Sequence, residues 1–367
     1  IAALAPQDLA DPLLQWALAA YVEFDTGAPL EMLSSDLFDA DAAFDGPDLL
    51  LPQGYDRLLA PLAAGLDIRL GEVVREVAWN RQGVAVRTER QIHAARKAIC
   101  CLPLGVLQAG GVAFTPALPG PMQRALQRLG AGAVAKAIAL FDRPFWPSGI
   151  QYFGRLAEPA GRWSYILNHM AFGGGPVLTL FSFGRAAAPA EALDDSVAER
   201  EIVAALRQVF GPQAPAPARL LRSGWSADPF ARGAYSYPGP DAVAADFDLL
   251  AGPVGGRLFL AGEHTLFAHH GTAHGALLSG RRAELDMGKV LMKRARLQGS
   301  TLRARSPDFK TRLVKDLEDH LWSALSERRI TPIIHGTYAI EDVQTAHEVL
   351  ASNTTLGQLV LEVPRAS

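Results

Sequence analysis

From Arg257 to Leu285 the chain reads RLFLAGEHTLFAHHGTAHGALLSGRRAEL, and no other stretch narrows the available folds as much. It opens on an apolar run, LFLAG (Leu258 to Gly262), whose length and character fit a buried strand. It closes on a run from Gly275 to Glu284 that suits a helix. Strands and helices both recur along the rest of the chain, which reads as a mixed α/β fold. Between this strand and this helix lie Glu263, four histidines and several small residues, and two chemical readings compete. In the first, His264, His269, His270 and His274 join Glu263 around a metal ion. The spacing fits no common zinc motif, and the helix expected from Gly275 carries no pair of histidines on one face. In the second, the stretch is a cofactor cradle. Gly262 allows close backbone approach, and Glu263 accepts hydrogen bonds from sugar-alcohol hydroxyls. Gly271, Thr272, Ala273 and Gly275 then open a helix whose amides favour negative charge on a ring carbonyl. Tight strand–helix packing without any ligand accounts for the same small residues.

The chain as a whole is globular in composition, with 49% hydrophobic and 20% charged residues over 367 positions, enough for two or three domains. A net charge of −3 gives no support to nucleic-acid binding or to steering onto a membrane surface. No apolar run reaches the ~20 residues that a membrane helix needs. Cys100 and Cys101 are adjacent and poorly suited to a staple, so reduced thiols and a cytoplasmic protein are expected. The first residue is Ile1 rather than methionine, which suggests a chain missing its beginning.

Asp11-Pro12 predicts a helix cap, with helical spacing running on to Gly27. A short helix is expected after Gly54, and VVREVAWN and VAVRTER read as antiparallel strands around a turn from Asn80 to Gly83. AICCL and AKAIALF read as strands, and MQRALQRL as a helix. Ser196 and Glu199 have capping-box spacing for a helix ending near Gly211. QAPAPA, from Gln213, is a connector. The run KVLMKRARLQGSTLRARS is strongly basic and reads as a solvated face.

GAGAVA, from Gly130 to Ala135, mimics a dinucleotide fingerprint, but that fingerprint needs a strand before the glycines and a helix after them. Here a helix precedes and a strand follows, so the match carries no weight. Lys136 interrupts the apolar alternation of AKAIALF. It is either on a solvent face or a partly desolvated amine with a lowered pKa. Trp225, Tyr235 and Tyr237 in GWSADPFARGAYSY are either core aromatics or the lining of a pocket for a cationic amine.

Taken in order, PQGYDRLLAPLAAGLDIRL, LPLGVL, FDRPFWP, GWSADPFARGAYSY and RLFLAGEHT…HGALLSG resemble the flavin-containing amine oxidases, among them polyamine and monoamine oxidases and lysine-specific histone demethylases. The likeness covers roughly residues 1–283. It implies non-covalent FAD, two-electron oxidation of an amine C–N bond to an imine that water hydrolyses, and reduction of O2 to H2O2. It also implies an interleaved arrangement, with FAD-binding parts at 31–110 and 231–283 and a substrate domain at 1–30 and 111–230.

Residue by residue, Val74 matches the position whose backbone meets the adenine, and Leu102 and Pro103 of LPLGVL belong to the cofactor site. Gly262 and Glu263 match the ribityl-binding pair, and Thr272 and Ala273 the positions beside the pyrimidine edge of the ring. Lys136 matches the lysine that holds a water near flavin N5. Trp225 and Tyr235 match aromatics lining the flavin and substrate cavity, giving the catalytic set Lys136, Tyr235 and Trp225. Ala234 stands where covalently flavinylated relatives carry cysteine, and Thr272 replaces one of two cage tyrosines. The family's N-terminal strand, glycine turn and helix are not found in the sequence. The expectation is that the isolated polypeptide binds FAD weakly or not at all, or that an oligomer or partner chain completes the nucleotide site.

From 284 to 367, the segments ELDMGKVLMKRARLQGSTLRARS, PIIHGTYAIEDVQTAHEVLAS and NTTLGQLVLEV resemble the C-terminal end of zinc-independent quinone oxidoreductases, with Gln358 where lysine often stands. That likeness implies NADPH and a quinone or enone substrate. A fusion within SGRRAELD accounts for the change. The readings are therefore an amine oxidase, a quinone reductase-like protein, or a non-catalytic remnant.

Overall fold

The computed structural model describes residues 11–42, 44, 50–51, 54–284, 315, 327, 334–351 and 358–362. The chain divides into two compact units, 1–293 and 294–367. The fold is mixed α/β. No helix among the described residues is long and apolar enough to cross a membrane.

In the first unit, the Asp11 carboxylate accepts a hydrogen bond from Leu13 N at 2.8 Å and caps α1 (Pro12–Leu18). The helical path runs on through a π-helical turn (Ala19–Glu23) into α2 (Phe24–Thr26). It stops at Gly27, whose φ of +69° suits glycine and whose added Cβ would lie 3.0 Å from the Tyr235 ring.

The element that positions the candidate site is a five-stranded antiparallel sheet, ordered β11-β7-β10-β9-β8. Its strands are β7 (Val134–Leu140), β8 (Tyr152–Gly154), β9 (Tyr165–Asn168), β10 (Val177–Phe183) and β11 (Arg219–Arg222). Alternation divides its faces. On one face Ala135, Ala137, Ala139, Leu178 and Leu180 pack on Ile202 and Leu206 of α7 (Asp195–Phe210). Each of those two side chains is fully buried and contributes roughly 1.5–3 kcal/mol. On the other face Val134, Phe181 and Phe183 meet Ala19 and Ala20, with Trp16, Phe24 and Tyr165 around them.

The capping box expected at Ser196 and Glu199 is not formed. The α7 helix starts at Asp195 after Asp194, with no side-chain cap bond. Tertiary contacts override the local signal, because the Arg222 guanidinium holds the Leu193 carbonyl and the Asp195 carboxylate and fixes the chain there.

A second sheet is ordered β3-β2-β1-β5, from β1 (Val74–Trp79), β2 (Val84–Thr88), β3 (Ile92–Ala95) and β5 (Ala113–Thr115). The first three are antiparallel and β5 lies parallel to β1. The expected turn is closed by Asn80 Oδ1, which accepts from Gln82 N at 2.7 Å and Gly83 N at 3.2 Å. LFLAG supplies β13 (Leu258–Leu260), wholly buried and parallel to β4 (Ala98–Cys100). Two further strands, β6 (Leu129–Ala131) and β12 (Ser236–Pro238), pair antiparallel. The core beneath these strands takes in Val77, Leu258, Leu260 and Met122 of α5 (Gly120–Arg128), with Phe247 of α8 (Ala244–Leu250). Asp246 is buried, and Arg128 pairs with it to lock α8 to α5. By contrast α3 (Tyr55–Ala63) buries none of its residues, and Leu58, Leu59 and Leu62 stay more than half exposed.

GAGAVA is the passage from β6 to β7, and its glycines serve backbone packing. Gly132 N donates to Tyr235 O, Ala133 N to Gly27 O and Ala234 N to Gly132 O, each at 2.7 Å. Three further helices are α4 (Leu104–Gln108), α6 (Ala187–Glu191) and α9 (Ala273–Glu284).

In the second unit, β14 (Ile334–Ala339) and β15 (Gln358–Glu362) pair in parallel, with α10 (Val343–Ala351) between them in sequence. The basic run at 289–306 lies outside the described residues, as does the helix expected at 314–325 apart from Lys315.

Candidate active site

The four histidines of the opening stretch take separate roles. His264 is buried, its Nδ1 4.0 Å from Glu263 Oε1 and its Nε2 without a hydrogen-bond partner among the described residues. Burial pushes its pKa down, and the Glu263 charge opposes this. Nδ1 of His269 lies 3.0 Å from Ala42 O, and its ring stacks on Phe44 at 4.7 Å. His270 lies against Phe247 and Phe267, its Nδ1 2.9 Å from Phe267 O. His274 is exposed, edge-on to Phe44 and His269.

Glu263 follows β13 and joins three segments. Its carboxylate accepts from Ser236 Oγ, from Gly271 N at 2.6 Å and from Ser236 N at 3.3 Å. Most of that load falls on Oε2. Oε1 keeps only the long Ser236 N contact and the distant His264, so it retains acceptor capacity for a ligand hydroxyl. At the start of α9 the Thr272 hydroxyl donates to His269 O and accepts from Gly275 N, which fixes the first turn. Ala273, next to it, is exposed, leaving the helix start open to a flat ring.

Tyr235 stands beside Gly271 and under Gly27. Its hydroxyl donates to the Phe24 carbonyl, and burial, with the Asp25 charge adding to it, raises its pKa strongly, so the phenol stays protonated. Phe24 touches Phe181 at 4.9 Å, and Phe181 stands opposite Lys136 in the β7–β10 ladder. A path therefore runs from Glu263 through Ser236 and Gly271 to the neighbouring Tyr235, and on through Phe24 and Phe181 to Lys136.

Lys136 projects from the aromatic face of the sheet, its Nζ 5.8 Å from the Phe181 ring centroid. The side chain is reached by solvent, yet enough protein crowds it to push its pKa below the ordinary lysine value. No carboxylate pairs with it among the described residues. Trp225 is 48% exposed, an apolar ring left without a cover. It is tied in through its backbone, with Gly233 N donating to Trp225 O at 3.1 Å.

Val74 and Leu102 meet at a different place. They share a cleft of about 460 Å³ with Val106, Phe230 and Arg232, and Pro103 is exposed just outside it as the residue capping α4. The β1–β5 pairing spans only Glu76 to Ala78, so among the described residues no strand pairs with Val74 on that side. Phe230 and Arg232 were not among the candidates. Arg232 adopts φ +53°, unusual outside glycine, and its carbonyl lies within the space that a Cβ on Gly105 would fill, so that position admits only glycine. A larger cleft of about 730 Å³ along β2 and β3 touches none of the candidate residues.

The segment 225–235 thus runs between two groups: Val74, Leu102, Phe230 and Arg232 around the cleft of about 460 Å³, and Glu263, Thr272, Tyr235 and Lys136, joined by the contacts above. An elongated cofactor with a flat ring, a polyol and a heterocyclic far end suits these groups. The free acceptor capacity of Glu263, the Val74 edge that no described strand pairs with and the uncovered start of α9 are the features that fit it.

Residues 4–283 match the family described as flavin containing amine oxidoreductase. The chain belongs to that family. Residues 231–361 also match the family described as zinc-binding dehydrogenase, which supports a dehydrogenase-like C-terminal segment. Over 292 residues, 77% of this chain, it is 34% identical to lysine-specific histone demethylase 1 homolog 1 of Oryza sativa subsp. japonica. It is 35% identical over the same length to the protein of that name from Arabidopsis thaliana. The chain spans about a third of the length of the curated relatives it matches, 34% in both cases. A solved structure of putrescine oxidase bound to putrescine shares the fold at TM-score 0.53 and 21% identity, over 63% of this chain and 51% of that one.

Proposed function

We propose that this chain serves FAD-dependent oxidation of an amine C–N bond. The products are an imine, which water converts to an aldehyde or ketone, and H2O2 from O2. Bound FAD supplies the two-electron acceptor for the hydride that leaves the amine α-carbon. Everything else falls to the protein. Glu263 holds the polyol through Oε1, and Val74 and Leu102 take the adenine end. Thr272 and Ala273 lie along the ring's polar edge, with Gly262 allowing the close approach. Trp225 and Tyr235 border the substrate, and their faces favour an amine-bearing chain. Lys136, whose pKa crowding lowers, holds a water at the ring and exchanges a proton with it.

The observation that carries this reading is Lys136 itself: an amine open to solvent, with no carboxylate partner among the described residues, on a face rich in aromatic rings. The relatives' names suggest two probes, putrescine and a peptide bearing N-methylated lysine. Amine-dependent peroxide formation by the FAD-supplemented chain supports the reading, and its absence with both probes overturns it. The dehydrogenase-like match favours one second reading, NADPH-dependent reduction of a quinone, which NADPH consumption with a quinone tests.

A further inference from the structure

Lys136 and Trp225 lie on different elements, yet one carboxylate connects them. Glu191 ends α6, a five-residue helix with no recognisable motif. Its Oε1 accepts from Ser223 Oγ at 2.8 Å and from Trp225 N at 3.0 Å, and its Oε2 accepts from Ser226 N at 2.9 Å. The same Ser223 hydroxyl accepts from Lys136 N at 2.8 Å, while Ser223 N donates to Lys136 O at 2.9 Å. Beside it, Arg222 donates to the carbonyls of Ala190 at 3.3 Å and Leu193 at 2.7 Å, so the end of α6 is held from two sides.

We infer that Glu191 is a positioning residue that clamps the 223–226 loop, and with it Trp225, onto the strand that carries Lys136. Two backbone N–H groups and one hydroxyl converge on a single carboxylate, and bonds of that kind are about twice as strong as neutral ones. Trp225 has half its surface exposed and little packing of its own, so its place depends on these backbone bonds. Ser223 relays the constraint, because its hydroxyl gives its proton to Glu191 and its lone pair to Lys136 N. Glutamine at 191 offers one acceptor oxygen and turns an NH2 group toward the remaining N–H. Alanine removes the acceptor altogether.

The inference rests on the amine-oxidase reading for its purpose, but its test needs neither flavin nor turnover. In the full chain, peptide-resolved hydrogen exchange over 223–226 is compared between wild type, Glu191→Gln and Glu191→Ala, alongside the pH profile of Lys136 acetylation. Exchange in the loop is expected to rise about tenfold in Glu191→Ala and less in Glu191→Gln, as for loss of charge-assisted bonds. The Lys136 profile moves toward that of an ordinary lysine in both variants, while α7 peptides keep wild-type protection. Unchanged loop exchange and an unchanged Lys136 profile in the folded variants overturn the inference. If Glu191→Ala does not fold, Glu191→Gln decides by the same two readouts. Where amine turnover exists, loss of kcat with an unchanged fold follows. Where it does not, the exchange result still stands and only the functional reading falls.

Discussion

Lys136 stands directly opposite Phe181 across the β7–β10 ladder, with its ammonium 5.8 Å from the ring centroid. The pairing sets an amine on an aromatic wall at the edge of the proposed ring site, where desolvation lowers its pKa. Lys136→Met keeps the length and removes the charge. It is expected to lower kcat by about a hundredfold or more, with FAD affinity retained, as steady-state kinetics and flavin titration will show.

The same residue makes a statement about stability. Its folded pKa lies below its unfolded value, so between the two the unfolded chain binds more protons, and stability rises with pH through that window. Wild type is therefore handicapped relative to Lys136→Met near neutral pH. The handicap shrinks as pH approaches the ordinary lysine range, which denaturant melts across that span will follow.

Glu263→Gln leaves a side chain of the same shape where Ser236 and Gly271 donate. One donor then faces an NH2 group, at a cost of about 1–3 kcal/mol for the unmade bond. FAD affinity is expected to fall about tenfold or more, in step with the loss of a charge-assisted acceptor. A thermal melt measures the first, and fluorescence titration with FAD the second.

Gly132→Ala tests the backbone knot beneath Tyr235. The new Cβ would lie 2.9 Å from Gly27 O and 3.0 Å from Gly27 C and Cα, all backbone atoms. Such overpacking costs about 1–3 kcal/mol and shows as a lowered denaturation midpoint. A midpoint equal to wild type contradicts the knot.

His264 gives the acid limb. Burial depresses its pKa, so below the ordinary histidine value the unfolded chain takes up a proton that the folded one refuses. Stability falls as pH drops from about 6.5 toward the folded pKa. His264→Asn flattens that slope in denaturant melts at successive pH values.

Much of this was legible in the sequence. The strand and helix of the Leu258–Glu284 stretch, the Asn80–Gly83 turn and the Asp11 cap follow local rules that tertiary contacts reinforce. The face occupied by Lys136 was not legible, because it depends on α1 and Phe24 arriving from more than a hundred residues away. The Ser196 capping box failed for a similar reason, since Arg222 fixes Leu193 and Asp195 first. Glu191 carries no motif at all, and its partners lie 32 to 35 residues further on. Phe230 and Arg232 stand inside GWSADPFARGAYSY, and the positive φ that singles out Arg232 is invisible in a string of letters.

The most direct test is anaerobic. The purified chain, with FAD in excess, is mixed with putrescine or with an N-methyl-lysine peptide, and the visible flavin band is followed. The account predicts amine-dependent bleaching that Lys136→Met slows and that O2 reverses with release of peroxide. A flavin band that no amine bleaches, in a chain that quenches no FAD fluorescence at any concentration, contradicts it.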